Sequence, residues 1–119
     1  MRLVLDTNFF VLHYFSGGET LAKTKAALNR CRKLGNSGIV PAIVLGELYA
    51  MTAKKAGRSV AEKAFLEVAA SGLAIADMTA PIAKQAGILR AKYMEKVPWG
   101  DCIIAATAMV KGADFIVGP

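Results

Sequence analysis

Among the nine acidic residues of this chain, Asp6, Glu47 and Asp101 lack an ordinary structural task. Asp6 follows the apolar run Leu3-Val4-Leu5. Glu47 has Ile43, Val44, Ala50 and Met51 three and four positions away, and Asp101 has Val97, Pro98, Ile104 and Ala105 at the same offsets. Those are the positions whose side chains meet on a helix, and none of them can pair with a carboxylate. Burying an unpaired carboxylate is costly, so three directed at one region call for a compensating positive charge. A divalent cation supplies it, and all-oxygen donors suit Mg²⁺ or Mn²⁺. Zinc would have only His13 and two widely separated cysteines to draw on, and His13 itself reads as a helix or loop residue.

Each acid also has a plainer use. Asp6 and Asp101 can cap helices, worth about 1 kcal/mol each, and Glu47 can pair with a distant Lys or Arg. A shared cause accounts for all three only if they approach each other in space. Five of the other six acids need no such cause. Ser59-Val60-Ala61-Glu62 has the spacing of a capping box, Glu67 and Glu95 have Lys63 and Lys92 within a helical turn, and Glu19 and Asp114 fall near the starts of elements.

The elements that must position these residues alternate between strand and helix. Arg2-Leu3-Val4-Leu5 predicts a buried strand that runs into a helix through Asp6-Thr7-Asn8, residues that favour turns and N-caps. Thr20 to Lys33 has no Gly or Pro and predicts a helix closed by Gly35; Ser37 to Val40 predicts a second strand. The segment from Ala42 to Lys55 is apolar nearly all round, which predicts a buried helix stopped by Gly57. A helix from the Ser59 capping box to about Ala70 follows, then a strand at Leu73–Ala76. A helix opened by Thr79-Ala80-Pro81 is expected to reach about Lys96 before Pro98 breaks it. Trp99-Gly100-Asp101 leads into a last helix stopped by Gly112, and Phe115-Ile116-Val117 is the fourth strand. Such alternation predicts an α/β fold, three layers with a central parallel sheet of four to five strands. In sheets of that kind ligands gather outside the carboxyl ends of the strands, which is where Asp6 falls.

The chain has 119 residues, 55% of them hydrophobic and 20% charged, enough for one domain over residues 1–119 with an ordinary core. Apolar content this high excludes a disordered chain. No uninterrupted apolar run reaches the roughly 18 residues of a membrane span, and Asp6 interrupts any signal-peptide core, so the expectation is a soluble, cytoplasmic protein with no membrane contact. Cys31 and Cys102 form no metal spacing and read as reduced and structural. Fifteen Lys+Arg against nine Asp+Glu leave a net charge of +6, which favours polyanionic partners. The basic residues cluster as Lys23, Lys25, Arg30, Arg32 and Lys33 and as Lys54, Lys55 and Arg58, either a solvated helix face or an electrostatic funnel for RNA. Trp99 and Tyr49 are candidates for base stacking or for the core.

Leu3-Val4-Leu5-Asp6-Thr7-Asn8, Val44-Leu45-Gly46-Glu47-Leu48 and Trp99-Gly100-Asp101-Cys102-Ile103-Ile104-Ala105-Ala106-Thr107-Ala108 together resemble the three ordered signatures of the PIN domain. The resemblance spans essentially the whole chain. It implies a compact α/β nuclease, with many small members being VapC-type ribonuclease toxins neutralised by a VapB antitoxin and commonly dimeric. It places metal-binding and catalytic roles on Asp6, Glu47 and Asp101, and a supporting role toward the first acid or the phosphate on Thr7 and Asn8. The chemistry implied is hydrolysis of an RNA phosphodiester by a water activated on Mg²⁺ or Mn²⁺. Lys54 and Arg58 are then candidates for contact with RNA. The resemblance also implies a fourth acid in a segment similar to Val-Thr-x-Asp; here Gly118 stands where threonine would, and the acid and a final edge strand would fall after Pro119.

Two other readings stand beside this one. A PIN-like module without the fourth acid would bind RNA or a protein without cutting. An aspartate-nucleophile phosphotransfer domain would also place an acid at a strand end, but position 8 is Asn rather than the second Asp of that motif, and no strand-end lysine follows.

Overall fold

The first strand, β1 (Arg2–Leu5), buries Leu3, Val4 and Leu5. Successive strand residues point to opposite faces, so burial of three in a row means that helices cover the sheet on both sides. The computed structural model describes residues 1–118 apart from the side chain of Glu95; the pairing of Glu95 with Lys92 and the position expected for a fourth acid lie outside the described residues. After β1 come α1 (Thr7–Phe15), α2 (Gly18–Cys31), β2 (Ser37–Pro41), α3 (Ala42–Ala56) and α4 (Arg58–Ala69). The chain continues through β3 (Ala74–Ala76), α5 (Ala80–Tyr93), a 3₁₀ turn (Met94–Lys96), α6 (Trp99–Lys111) and β4 (Phe115–Val117).

All strand pairs are parallel, in the order β3-β2-β1-β4, with Val4 opposite Ile39 on one side and Ile116 on the other. The chain therefore winds outward from β1 through β2 to β3 and then returns to the other flank of β1. That reversal makes the crevice at the carboxyl ends of β1 and β4 the topological switch point, where open α/β sheets bind ligands. The main core joins Leu3, Val4, Leu5, Phe9, Phe10, Val40, Val44, Leu48, Val68 and Ile104. Ile82, Ala86, Cys102 and Ala106 form a second cluster between α5 and α6.

Most of the expected elements are present. The helix expected from Thr20 to Lys33 spans Gly18–Cys31 and is capped by Arg32 rather than closed by Gly35, and three further differences follow. The helix expected from the Ser59 capping box begins earlier, at Arg58, with Gly57 at φ 90° as its N-cap and no side-chain cap. Glu62 instead accepts a hydrogen bond from the Tyr49 hydroxyl at 2.9 Å, joining α3 to α4. The helix expected to reach Lys96 ends at Tyr93 because Met94 turns to φ 55°, and Arg90 donates across the break to the Val97 carbonyl at 2.5 Å. The last helix begins at Trp99 with Pro98 as N-cap, so Asp101 lies inside its first turn and is not a cap.

Both cysteines are free and buried, as expected of structural thiols. Cys31 closes α2 directly over Gly38 of β2, where a Cβ would come within 2.9 Å of its Sγ. His13 lies on α1 with Nδ1 against the Thr24 hydroxyl at 2.9 Å, tying α1 to α2. Burial, with Lys25 nearby, lowers its pKa. No described helix is long and apolar enough to cross a membrane.

Leu48 is fully buried one position from Glu47 and anchors α3 against the sheet. Leu48→Ala is expected to destabilise the chain by about 3 kcal/mol, read as a lower urea midpoint with an unchanged denaturant slope.

Candidate active site

Asp6, Glu47 and Asp101, drawn from three separate segments, line one cavity of about 130 Å³ together with Thr7, Asn8, Met51 and Ile104. Size does not single it out, since a cavity of about 400 Å³ lies beside Cys31 and Leu73. Its donor set does.

The parallel sheet brings these residues together. Asp6 leaves β1 at its carboxyl end, where its own N–H bonds to the Val117 carbonyl of β4 at 3.1 Å. Its extended backbone turns the chain into α1, and Oδ1 caps that helix by accepting from the Phe9 N–H at 3.0 Å. The cap is thus one use of Asp6, and it leaves the carboxylate in the cavity wall. Glu47 lies in the second turn of α3, which starts directly after β2. Asp101 lies in the first turn of α6. Because α6 runs back into the start of β4 over about 20 Å, its first turn stands at the carboxyl edge of the sheet.

Thr7 is buried and donates its hydroxyl to Glu47 Oε1 at 2.6 Å. That bond joins residues 40 positions apart and fixes one oxygen of the carboxylate. Met51, one turn beyond Glu47, and Ile104, one turn beyond Asp101, form the apolar wall. Burial is the main cause that raises the Asp6 carboxyl above its ordinary pKa of 3.8; hydrogen bonds from the Phe9 and Asn8 N–H groups oppose it, and the Asp101 charge adds to it. Asp6 and Asp101 are therefore close enough to repel.

The residues fit a hard divalent cation in their chemistry: three carboxylates and a hydroxyl on one wall, with a charge repulsion that a cation would relieve. Among the described residues, no three His, Cys, Asp or Glu side chains form a ready-made metal cage. Asp6, Glu47 and Asp101 are the side chains that would hold the ion.

The PIN domain family model matches residues 3–117, nearly the whole chain. The chain belongs to the PIN domain family. A comparison with curated proteins finds no match. Among solved structures, the PIN fold found here is similar to the Mycobacterium tuberculosis VapC20 toxin, which cleaves the sarcin–ricin loop. The TM-score is 0.81 at 19% identity, covering 98% of this chain and 88% of that one. VapBC2 of Rickettsia felis, bound to a DNA fragment from its promoter, gives 0.74 at 23% identity, with coverages of 98% and 86%. DNA-bound VapBC of Salmonella typhimurium gives 0.70 at 25% identity, with coverages of 99% and 84%.

The other candidates of this PIN domain are placed as follows. Asn8 is exposed at the cavity rim. Lys54 and Lys55 line a second cavity, which shares Met51 with the acidic one. Lys55 also stands over the Phe15 ring, 5.8 Å from its centroid. Arg58 opens α4 beside the Tyr49 hydroxyl and lines neither of these cavities. On the other flank, Lys23 lines an apolar cavity with Phe9, Val117 and Gly118. Trp99 is 52% exposed under the Arg90 guanidinium and is no part of the core.

The raised pKa of Asp6 fixes a sign. Between 3.8 and its higher folded value, the native state holds more protons than the unfolded chain, so this group makes stability fall as pH rises through that interval. Asn caps a helix as well as Asp does. In metal-free protein, Asp6→Asn is therefore expected to raise the melting temperature at neutral pH, with the gain shrinking toward zero as the pH falls below 3.8. Melting curves of both chains across that range check it.

Proposed function

We propose that this PIN domain is a metal-dependent endoribonuclease, the toxin of a VapBC-type toxin–antitoxin pair, acting in the cytoplasm. The observation that carries the proposal is the meeting of Asp6, Glu47 and Asp101 in one cavity at the sheet's switch point. Family membership supports it, since VapC-type PIN domains are ribonucleases and PIN nucleases use divalent ions. The likeness to a toxin that cleaves the sarcin–ricin loop and to VapBC complexes supports RNA as substrate and a VapB-like antitoxin as partner. A homodimer is part of the same proposal, and exposed Ile88, Tyr93, Met109 and Val110 on α5 and α6 offer apolar surface for it.

Mg²⁺ or Mn²⁺ bound here would polarise a phosphoryl oxygen and lower the pKa of a coordinated water. Asp6, Glu47 and Asp101 supply the negative oxygens that hold the ion. Thr7 keeps the Glu47 carboxylate from rotating away, and the α1 cap does the same for Asp6. Met51 and Ile104 exclude water from one side, which strengthens each charge interaction within. An acidic cavity alone would repel RNA. Lys54 and Lys55 beyond Met51, and Lys23 beyond Gly118, lie where they can draw the phosphate backbone in from two sides.

Cleavage of a mixed-sequence single-stranded RNA is expected with Mg²⁺ or Mn²⁺ and not with EDTA. Asp6→Asn, Glu47→Gln and Asp101→Asn are each expected to slow it by at least about 100-fold. Metal-independent cutting, or variants as fast as the parent, would reject the site; salt-sensitive RNA binding without turnover in any metal would identify a non-catalytic module instead. Lys54→Ala is expected to weaken RNA binding and to reduce the slope of log affinity against log salt by roughly 0.7, measured by fluorescence anisotropy in the Asp6→Asn background.

A further inference from the structure

A lone apolar side chain on a surface is ordinary, but Trp99 is both exposed and held. It is 52% exposed at the first residue of α6, and the Arg90 guanidinium of α5 lies over its ring, 5.5 Å from the centroid. Arg90 is itself fixed, since it donates to the Val97 carbonyl at 2.5 Å across the break between the two helices. A flat ring with one face under a guanidinium and half of the residue in solvent presents its other face to solvent. Among the described residues, neither hydrophobic cluster includes it.

The surroundings of the ring are basic. Residues 90–96 carry Arg90, Lys92 and Lys96 against one acid, Glu95, and both lysines are exposed. An exposed aromatic ring among cations is the arrangement that holds single-stranded nucleic acid, with bases stacked on the ring and cations along the phosphates. A ring already fixed in place loses little freedom when a base settles on it.

Trp99 precedes Asp101 by two residues. On a helix that turns the two side chains about 200° apart, Asp101 toward the acidic cavity and Trp99 toward α5. Ring and carboxylate therefore stand roughly a helix width, about 10 Å, apart. A base on Trp99 thus belongs to a flanking nucleotide and not to the one at the scissile bond.

We propose that Trp99, braced by Arg90, is the stacking platform for an unpaired RNA base flanking the scissile phosphate. The proposal rests on the ribonuclease reading and adds a requirement to it. The RNA must be unpaired beside the cut, because a base inside a duplex has no free face for the ring.

Trp99 is the one tryptophan of the chain, so its fluorescence reports this ring alone. Mixed-sequence single-stranded RNA, titrated into the Asp6→Asn chain so that it is bound without being cut, is expected to quench that fluorescence, and a duplex of the same sequence is not. Trp99→Leu keeps an apolar side chain but loses the ring. It is expected to weaken RNA binding about 5-fold or more, read by anisotropy of labelled RNA, and to raise KM by a similar factor in the chain that retains Asp6. Trp99→Phe is expected to keep most of the affinity. Neither variant should change the slope of log affinity against log salt, because stacking releases no counterions. RNA binding without quenching, or Trp99→Leu matching its parent in both affinity and KM, would overturn the inference and leave the ribonuclease reading standing. Equal loss in Trp99→Leu and Trp99→Phe, with sedimentation shifting from dimer to monomer, would overturn it too and assign the ring to an interface between copies. RNA neither bound nor cut by the parent would overturn both readings.

Discussion

Every strand of the sheet points the same way, and the repulsion among the acids follows from that constraint. A helix that follows a strand starts at the carboxyl edge, and a helix that leads into a strand ends at the opposite edge. Asp6 at the start of α1, Glu47 in the second turn of α3 and Asp101 in the first turn of α6 are therefore gathered on one side. Hydrophobic burial of Leu3, Val4, Leu5 and Leu48 holds that geometry. The same helix starts carry the positive ends of the helix dipoles, which offset part of the negative charge. What remains is visible in Asp6, whose carboxyl is raised by burial and by Asp101. A fold seeking stability alone would have no reason to keep that arrangement.

The bonds around the acids make sense as restraints on direction. The Phe9 N–H and the Thr7 hydroxyl each take one carboxylate oxygen and leave its partner. Each restraint is local and modest. Together they set how the carboxylates point, which matters more for a metal site than how strongly any one is held.

Much of this was legible in the residues themselves. A β-branch-containing apolar run ending in Asp-Thr-Asn marks a strand turning into a helix, and a helical glutamate with only apolar neighbours stands out by lacking a partner. The helix of Glu47 kept its expected end at Gly57, where the backbone turns to φ 90°, a conformation glycine adopts without steric cost. Two things were hidden for physical reasons. The Thr7–Glu47 bond joins residues far apart in sequence, and no local pattern encodes it. The start of α4 was set by the backbone of Gly57, so a matching capping-box spacing at Ser59 was irrelevant.

The central claim is that Asp6, Glu47 and Asp101 together hold a divalent cation. Anomalous difference density from Mn²⁺-soaked crystals of this chain tests it most directly. A single strong peak, or a close pair, bounded by carboxylate oxygens of all three residues is the predicted result. Density held by other side chains, or none at saturating Mn²⁺ with this cavity open to solvent, would contradict it.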